Sequence, residues 1–206
     1  MSTTFYVYPG KQYMPTFRDL LSFSNQRIVD HLLHLGASTN FCLDVEIRDI
    51  NTHSEADFNL DDKVIWNENT YAWFYIVGIA GGTDVYYNQT TELDKEAWKD
   101  ELKTNIKAQQ LQDTINKSME IGYHWSFRRS AGQSGIINLS YGLIAASLAK
   151  ITDGFIYSDD GAWDYSYFPA LADDFITYYF KPDFTTKSED KEWVKNCIMS
   201  IFEELR

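Results

Sequence analysis

The four histidines are the first candidates for catalysis, because a serine or cysteine nucleophile needs an imidazole that a third group holds in place. They are His31, His34, His53 and His124. The chain contains no Gly-x-Ser-x-Gly sequence, and Cys42 falls within a predicted strand rather than at the start of a helix. The sequence therefore supplies no complete set of catalytic residues, and we predict that the protein is not an enzyme.

His31 and His34 are candidates for binding one metal ion together. Their spacing of three places both imidazoles on one side of a predicted helix, with Asp30 nearby as an orienting carboxylate. Zinc-protease helices carry His-Glu-x-x-His, and the glutamate of that pattern is missing here. We interpret this segment as an ordinary exposed helix face and predict no metal and no other cofactor.

Phosphate binding is the chemistry suggested by Gly132 and Gly135, which precede a predicted helix and follow Arg128 and Arg129. Backbone amides at the start of a helix bind phosphate well. The lysine of the phosphate-binding loop is absent, however. A flexible loop is the simpler interpretation.

The densest group of carboxylates comprises Asp159, Asp160 and Asp164, in a predicted turn after a short strand. The alternating acids and closing glutamate of a calcium-binding loop are missing. Trp163 and Tyr165 lie beside these acids, and carboxylates next to aromatic rings are suited to receive Arg and Lys side chains from a protein partner. We predict that these five residues form a protein interface.

The charge of the chain points to a basic partner. Its 30 acidic and 18 basic residues give a net charge of −12. The excess lies in two segments: residues 40–68 hold eight acidic and two basic residues, and residues 153–206 hold twelve and five. Such a chain repels nucleic acid and anionic membranes and attracts basic proteins. Solubility alone is the alternative explanation of this charge.

Composition predicts a folded protein with a single domain over residues 1–206. Apolar residues make up 44% of the chain, which excludes a disordered protein. Cys42 and Cys197 fit no metal or redox spacing, and Cys197 is predicted to be a buried free thiol. Residues 1–6 lack a basic segment followed by an apolar stretch, so we expect a cytosolic protein.

Hydrophobic periodicity predicts an alternation of strands and helices. Strands are predicted at 4–8, 41–47, 63–66, 71–79, 84–87, 123–129 and 155–157, and helices at 15–36, 92–121, 136–150, 169–180 and 189–205. Residues 51–62 are predicted to form an acidic loop. The helix at 136–150 is apolar nearly all round and is predicted to be buried. The last helix is amphipathic, and its predicted apolar stripe comprises Trp193, Val194, Cys197, Ile198, Ile201, Phe202 and Leu205. Long helices combined with hairpins favour an α+β fold, with helices packed on one face of a mainly antiparallel sheet.

One part of the chain also suggests a family. The segment Trp125–Arg129, followed by the alanine-rich stretch from Ile144 and the acidic turn that ends at Asp164, resembles α+β immunity proteins of bacterial polymorphic-toxin systems. Such proteins are acidic, cytosolic and non-catalytic, and each binds one cognate toxin domain, often a basic nuclease. The resemblance implies that this protein neutralises such a domain.

Two other functions remain open. A phage-type acidic inhibitor or DNA mimic would also bind through charge, and an enzyme could act through a site that the sequence does not reveal. A neighbouring gene for a large secreted protein with a toxic C-terminal domain would favour an immunity protein over an acidic inhibitor.

Overall fold

Alternation of polar and apolar residues produces one continuous sheet through the molecule. In the computed structural model, which describes residues 2–206, the strands are β1 (Thr3–Tyr8), β2 (Leu43–Asp49), β3 (Glu55–Ala56), β4 (Thr70–Ile76), β5 (Thr83–Gln89), β6 (Tyr123–Arg129), β7 (Phe155–Tyr157) and β8 (Ala170–Leu171). They pair in the order β3-β2-β4-β5-β6-β1-β7-β8, and every pair is antiparallel. The predicted α+β class with a mainly antiparallel sheet is confirmed.

Strand β1 lies inside this sheet, between β6 and β7. Its side chains alternate between the two faces. Phe5 and Val7 belong to the larger apolar cluster, whereas Tyr6 and Tyr8 pack with a smaller cluster. Both faces of β1 are therefore covered by helices.

Helix α5 (Gly135–Ile151) covers the first face and is apolar nearly all round, as predicted. Every residue from Gly135 to Ala149 is buried. Gly142 is required because a Cβ atom there would lie 2.3 Å from the ring of Tyr179. The Tyr179 hydroxyl donates a hydrogen bond of 2.7 Å to the carbonyl oxygen of Asn138, which fixes this close approach.

Three further helices surround α5 on the same side: α1 (Phe17–Leu35), α6 (Ala172–Tyr178) and α7 (Ser188–Glu204). Helix α1 begins and ends as predicted, with a capping box between Thr16 and Asp19 and a left-handed Gly36 at φ 72°. In α7, Val194, Cys197 and Ile201 face the core.

Helices α2 (Glu92–Thr104), α3 (Ile106–Gln110) and α4 (Gln112–Ile121) lie on the opposite face of the sheet. We predicted that the helices pack on one face of the sheet. This holds for α1, α5, α6 and α7, but α2, α3 and α4 pack on the other face. The reason is that the second face of β1 and β7 is also apolar, and Tyr8 and Phe155 need cover. Trp98 and Ile115 supply it.

The predicted continuous helix over residues 92–121 is wrong, because the chain breaks at Asn105 and Leu111. The Asn105 side chain accepts hydrogen bonds from the amides of Lys107 and Ala108 and so starts a new helix. Its amide group also donates to the carbonyl oxygen of Phe168, 3.0 Å away. A long-range contact therefore interrupts a pattern that is locally helical.

Three smaller predictions also differ from the structure. Residues 63–66 form no strand and make a single bridge between Lys63 and Thr16. The predicted helix 169–180 starts only at Ala172, because Ala170 and Leu171 pair with β7 as an edge strand. Phe202 was expected in the apolar stripe of α7, but 39% of its surface is exposed.

Within residues 2–206, no helix is both long enough and apolar enough to cross a bilayer.

Substitutions on the buried and exposed sides of α7 should change the free energy of unfolding by different amounts. Ile201 is fully buried and Glu203 is exposed. We expect Ile201→Ala to lower the free energy of unfolding by about 2–4 kcal/mol, since it removes apolar contacts and leaves a cavity. Glu203→Ala should change it by less than about 0.5 kcal/mol. Urea unfolding of both variants tests this, and equal losses would show that α7 does not pack as described.

Candidate functional site

The predicted acidic turn, residues 158–165, follows β7 at the surface, and its first two acids are exposed. Asp160 accepts hydrogen bonds from the backbone amide of Thr4, at 3.0 Å, and from the Ser158 hydroxyl, at 3.2 Å. Asp159 makes no side-chain hydrogen bond and no ion pair with residues 2–206. Asp160 therefore ties the turn to β1, while the Asp159 carboxylate is free to meet a ligand.

The other residues of the predicted interface hold the turn in shape. Asp164 accepts hydrogen bonds from Ser166 and Thr186. Partial burial works against ionisation, but these hydrogen bonds prevail and lower the pKa of Asp164. Trp163 is only 7% exposed and packs edge-on against Tyr179. Tyr165 is exposed, and its hydroxyl donates to a carboxylate on the other side of a cleft.

That carboxylate belongs to Glu101 of α2, and the cleft between α2 and the turn has a volume of about 290 Å³. We call it the aromatic–acidic cleft. It is lined by Tyr6, Tyr8, Asp94, Ala97, Trp98, Glu101, His124, Tyr157 and Asp159. Four aromatic rings and three carboxylates thus face one small space, and no lysine or arginine is among the lining residues.

Helix geometry explains how α2 contributes to this cleft. Asp94, Trp98 and Glu101 are spaced by four and three residues, which places them along one side of the helix. Trp98 fixes that side against the sheet through edge-to-face contacts with Tyr8 and Phe155, at ring distances of 5.3 and 5.2 Å. The two carboxylates are thereby held at the mouth of the cleft.

Neutral groups supply the hydrogen bonds of Glu101. Its carboxylate accepts from the hydroxyls of Tyr165 (2.8 Å) and Tyr157 (3.1 Å) and from the side-chain amide of Asn105 (3.0 Å). Asp94 accepts from Thr91 in the capping box of α2. These bonds orient the carboxylates without cancelling their charge.

Within residues 2–206, no lysine or arginine pairs with the carboxylates of the cleft. Eight ion pairs occur among residues 2–206, and none includes Asp94, Glu101, Asp159 or Asp160. Burial raises the pKa of Tyr6, and the charges of Asp159, Asp160 and Asp94 raise it further. The potential inside the cleft is therefore negative.

His124 lies buried at the floor of the cleft, stacked on Tyr8 at a ring distance of 4.9 Å. Burial lowers its pKa, and the nearby charge of Asp94 offsets only part of that effect. The imidazole is thus neutral at pH 7, and its Nδ1 atom has no hydrogen-bond partner. The residues that line the cleft include no serine, threonine or cysteine for it to activate.

Of the three carboxylates in this cleft, we predicted Asp159 from the sequence but not Asp94 or Glu101. For the segment that contains Asp94 and Glu101, we predicted only that it is helical. The signal that could have revealed the site is the placement of two acids on either side of Trp98, the most buried residue of α2. A carboxylate that flanks the buried side of a helix lies close to the surface on which the helix packs.

The two acidic segments do not form one surface. Residues 40–68 contain β2 and β3 at one end of the sheet, whereas residues 153–206 contain β7 and β8 at the other end. Of the two segments, the second alone lines the aromatic–acidic cleft, through Tyr157 and Asp159.

The two histidines of α1 differ in their exposure to solvent. His34 is exposed, as expected, and its Nδ1 atom lies 2.6 Å from the carbonyl oxygen of Asp30. His31 is instead largely buried; burial, followed by the charges of Lys181 and His34, lowers its pKa to about 4. Among residues 2–206, no group of three or more His, Cys, Asp and Glu side chains is placed to hold a metal ion.

The start of α5, considered above for phosphate, already holds a carboxylate of the protein. Glu204 of α7 accepts hydrogen bonds from the amides of Gly135 (2.8 Å) and Ile136 (2.9 Å). These are the free amides that would otherwise attract an anion.

The two cysteines are free thiols. Cys197 is buried, as predicted. Cys42 is exposed and lies immediately before β2 rather than within it.

The lowered pKa of His31 predicts a pH-dependent stability. Between pH 6.5 and 4 the unfolded chain protonates this residue and the folded protein does not. The free energy of unfolding should therefore fall as the pH drops through this window, by up to about 1.4 kcal/mol per pH unit for one histidine. Urea unfolding at several pH values should show a flatter profile for His31→Gln, while His34→Gln should retain the wild-type profile. Identical profiles for all three proteins would contradict the assignment.

We also compared the chain with known proteins. No family model, curated protein or solved structure matches it.

Proposed function

We propose that this protein binds and neutralises a cognate toxin domain with a basic surface, as an immunity protein of a bacterial polymorphic-toxin system does. One observation carries the proposal: Asp94, Glu101 and Asp159 share a cleft with four aromatic rings and have no cationic partner within residues 2–206. In this proposal, an arginine or lysine of the toxin supplies the missing charge.

The chemistry of the cleft suits such a side chain. A guanidinium or ammonium group is attracted to the faces of Tyr and Trp rings and forms strong hydrogen bonds with carboxylates. Glu101 is already oriented by Tyr157 and Tyr165, so a bound cation would meet a fixed acceptor. Fixed groups lose less conformational entropy on binding than flexible ones do.

The surroundings of the cleft also resemble a protein interface. Leu93, next to Asp94, is 77% exposed, and Tyr165, which donates a hydrogen bond to Glu101, is 47% exposed. Exposed apolar and aromatic groups around a charged centre can exclude water from an ion pair and so strengthen it. Of the five residues predicted from the sequence, Asp159, Asp160 and Tyr165 would contact the toxin, while Trp163 and Asp164 hold the turn.

The two alternatives receive less support. A DNA mimic needs a continuous row of negative charges, but the acidic segments lie at opposite ends of the sheet. An enzyme that uses His124 to activate a nucleophile needs a hydroxyl or thiol beside it, and the hydroxyls of the cleft lining all belong to tyrosines. Burial raises the pKa of Tyr6 and Tyr8, which makes their ionised forms harder to reach.

A binding titration with the toxin domain encoded beside the gene tests the proposal. Asp159→Asn and Glu101→Gln preserve shape and remove one charge each. Each should weaken binding by about 2–5 kcal/mol if its carboxylate is desolvated against an Arg or Lys. Glu203→Gln, at an exposed site on α7, is the matched control and should leave the affinity unchanged. A toxin that binds all four proteins equally well would exclude the cleft as the interface.

The rate of association tests the charge separately. We expect the on-rate to fall steeply between about 50 and 500 mM salt, because the screening length shrinks about threefold over that range. Stopped-flow mixing of the protein with the toxin domain measures this. A flat on-rate would mean that charge does not guide the encounter.

A further inference from the structure

A second cleft lies on the other side of the acidic turn, and its chemistry differs. It has a volume of about 500 Å³ and is bounded by the turn, the end of β6 and the start of α7. We call it the Arg129 cleft. The residues that define it chemically are Arg129, Trp163, Lys187, Asp190 and Trp193.

Arg129 is a buried cation without a counter-charge. Only 8% of its surface is exposed, and it is among the residues that line the cleft. Its guanidinium lies between the rings of Tyr141 and Trp193, at 5.1 and 5.3 Å from their centres. None of the eight ion pairs among residues 2–206 includes Arg129, so no carboxylate oxygen of the described chain lies within 4 Å of it.

The neutral partners of Arg129 satisfy only part of its hydrogen-bonding capacity. It donates to the Thr3 hydroxyl at 3.1 Å and to the side-chain oxygen of Asn138. Its Nε atom has no partner, and the same holds for the buried Nε1 atom of Trp163 in the same lining. A buried charge is normally paired, and a buried donor is normally bonded. Two residues in the lining of one cleft therefore carry a buried donor without an acceptor in the described chain, which favours a ligand with an oxyanion or a comparable acceptor.

The other charged residues of the lining indicate which class of anion the Arg129 cleft could bind. Arg129 and Lys187 are the cations of the lining, and Asp159, Asp164 and Asp190 are its carboxylates. Three negative charges against two positive ones repel phosphate and other polyanions. Asp190 takes part in no ion pair of the described chain and is exposed. It is therefore available for a positively charged group on the same ligand.

We propose that the Arg129 cleft binds a small zwitterion with an apolar or aromatic body, of the size of an amino acid. Its carboxylate approaches Arg129, its body lies against Trp163 and Trp193, and its ammonium group faces Asp190. The groups that would hold this ligand, Arg129, Trp193 and Asp190, do not line the aromatic–acidic cleft, although Asp159 lines both clefts.

The first test uses the wild-type protein and five probes: L-phenylalanine, L-leucine, 3-phenylpropanoate, 2-phenylethylamine and inorganic phosphate. Saturation-transfer NMR and titration calorimetry should detect binding of L-phenylalanine. Affinity should be at least tenfold weaker for 3-phenylpropanoate, which lacks the ammonium group, and no binding is expected for 2-phenylethylamine, which lacks the carboxylate, or for inorganic phosphate. The proposal would be overturned if the protein bound neither L-phenylalanine nor L-leucine. It would also be overturned if 2-phenylethylamine or phosphate bound as tightly as L-phenylalanine.

The second test assigns the groups. Asp190→Asn should weaken L-phenylalanine binding and leave 3-phenylpropanoate binding unchanged, since only the former has the ammonium group. Asp183→Asn, which removes an exposed carboxylate outside the cleft, should alter neither affinity. Arg129→Gln should abolish binding of both probes, with circular dichroism as the check on its fold. If Arg129→Gln unfolds, the Asp190→Asn variant tests the proposed orientation by itself. The orientation is contradicted if this variant weakens the binding of both probes equally, or if it weakens the binding of neither.

Discussion

The burial of α5 is the constraint on which the rest of the structure depends. A helix that is apolar nearly all round has no side that can face water, so it must be covered by the sheet below and by other helices above. Helices α1, α6 and α7 provide that cover. The contact is so close that Gly142 has no room for a methyl group beside Tyr179. Glu204 then completes the arrangement by capping the start of α5.

The position of the acidic turn is determined by β7, the strand that precedes it. Strand β7 continues from α5 and pairs with β1 inside the sheet, so the turn emerges between the two layers of helices. Helix α2 meets it from one side and α7 from the other. One short turn thereby borders two clefts, and Asp159 lines both of them.

The two clefts differ in whether their lining contains a cation. The aromatic–acidic cleft is lined by no lysine or arginine, and its Glu101 carboxylate accepts hydrogen bonds from neutral donors. In the Arg129 cleft, a guanidinium is held between aromatic rings and neutral oxygens. In both, neutral contacts fix the orientation of a charged group and leave its charge available to a ligand.

Counting charges along the chain could not identify these groups. Asp61 and Asp183 contribute to the same net charge as Asp159, yet Arg18 and Lys191 pair with them at 2.7 Å. Which carboxylate lacks a partner depends on the position of distant lysines and arginines. The two acidic segments were correctly identified, but their separation to opposite ends of the sheet follows from strand order, which local composition does not encode.

The sequence by itself determined the local elements of this protein. The limits of α1, the buried character of α5 and the alternation of β6 follow from capping residues and periodicity, because those signals act between residues a few positions apart. Tertiary structure alone decided that β1 pairs with β6 and β7 and that Asn105 interrupts a helix to reach Phe168. It also brought Glu101 of α2 to Tyr165 of the turn. Such contacts join residues more than sixty positions apart, and apolar patterns say which faces must be buried but not which partner buries them.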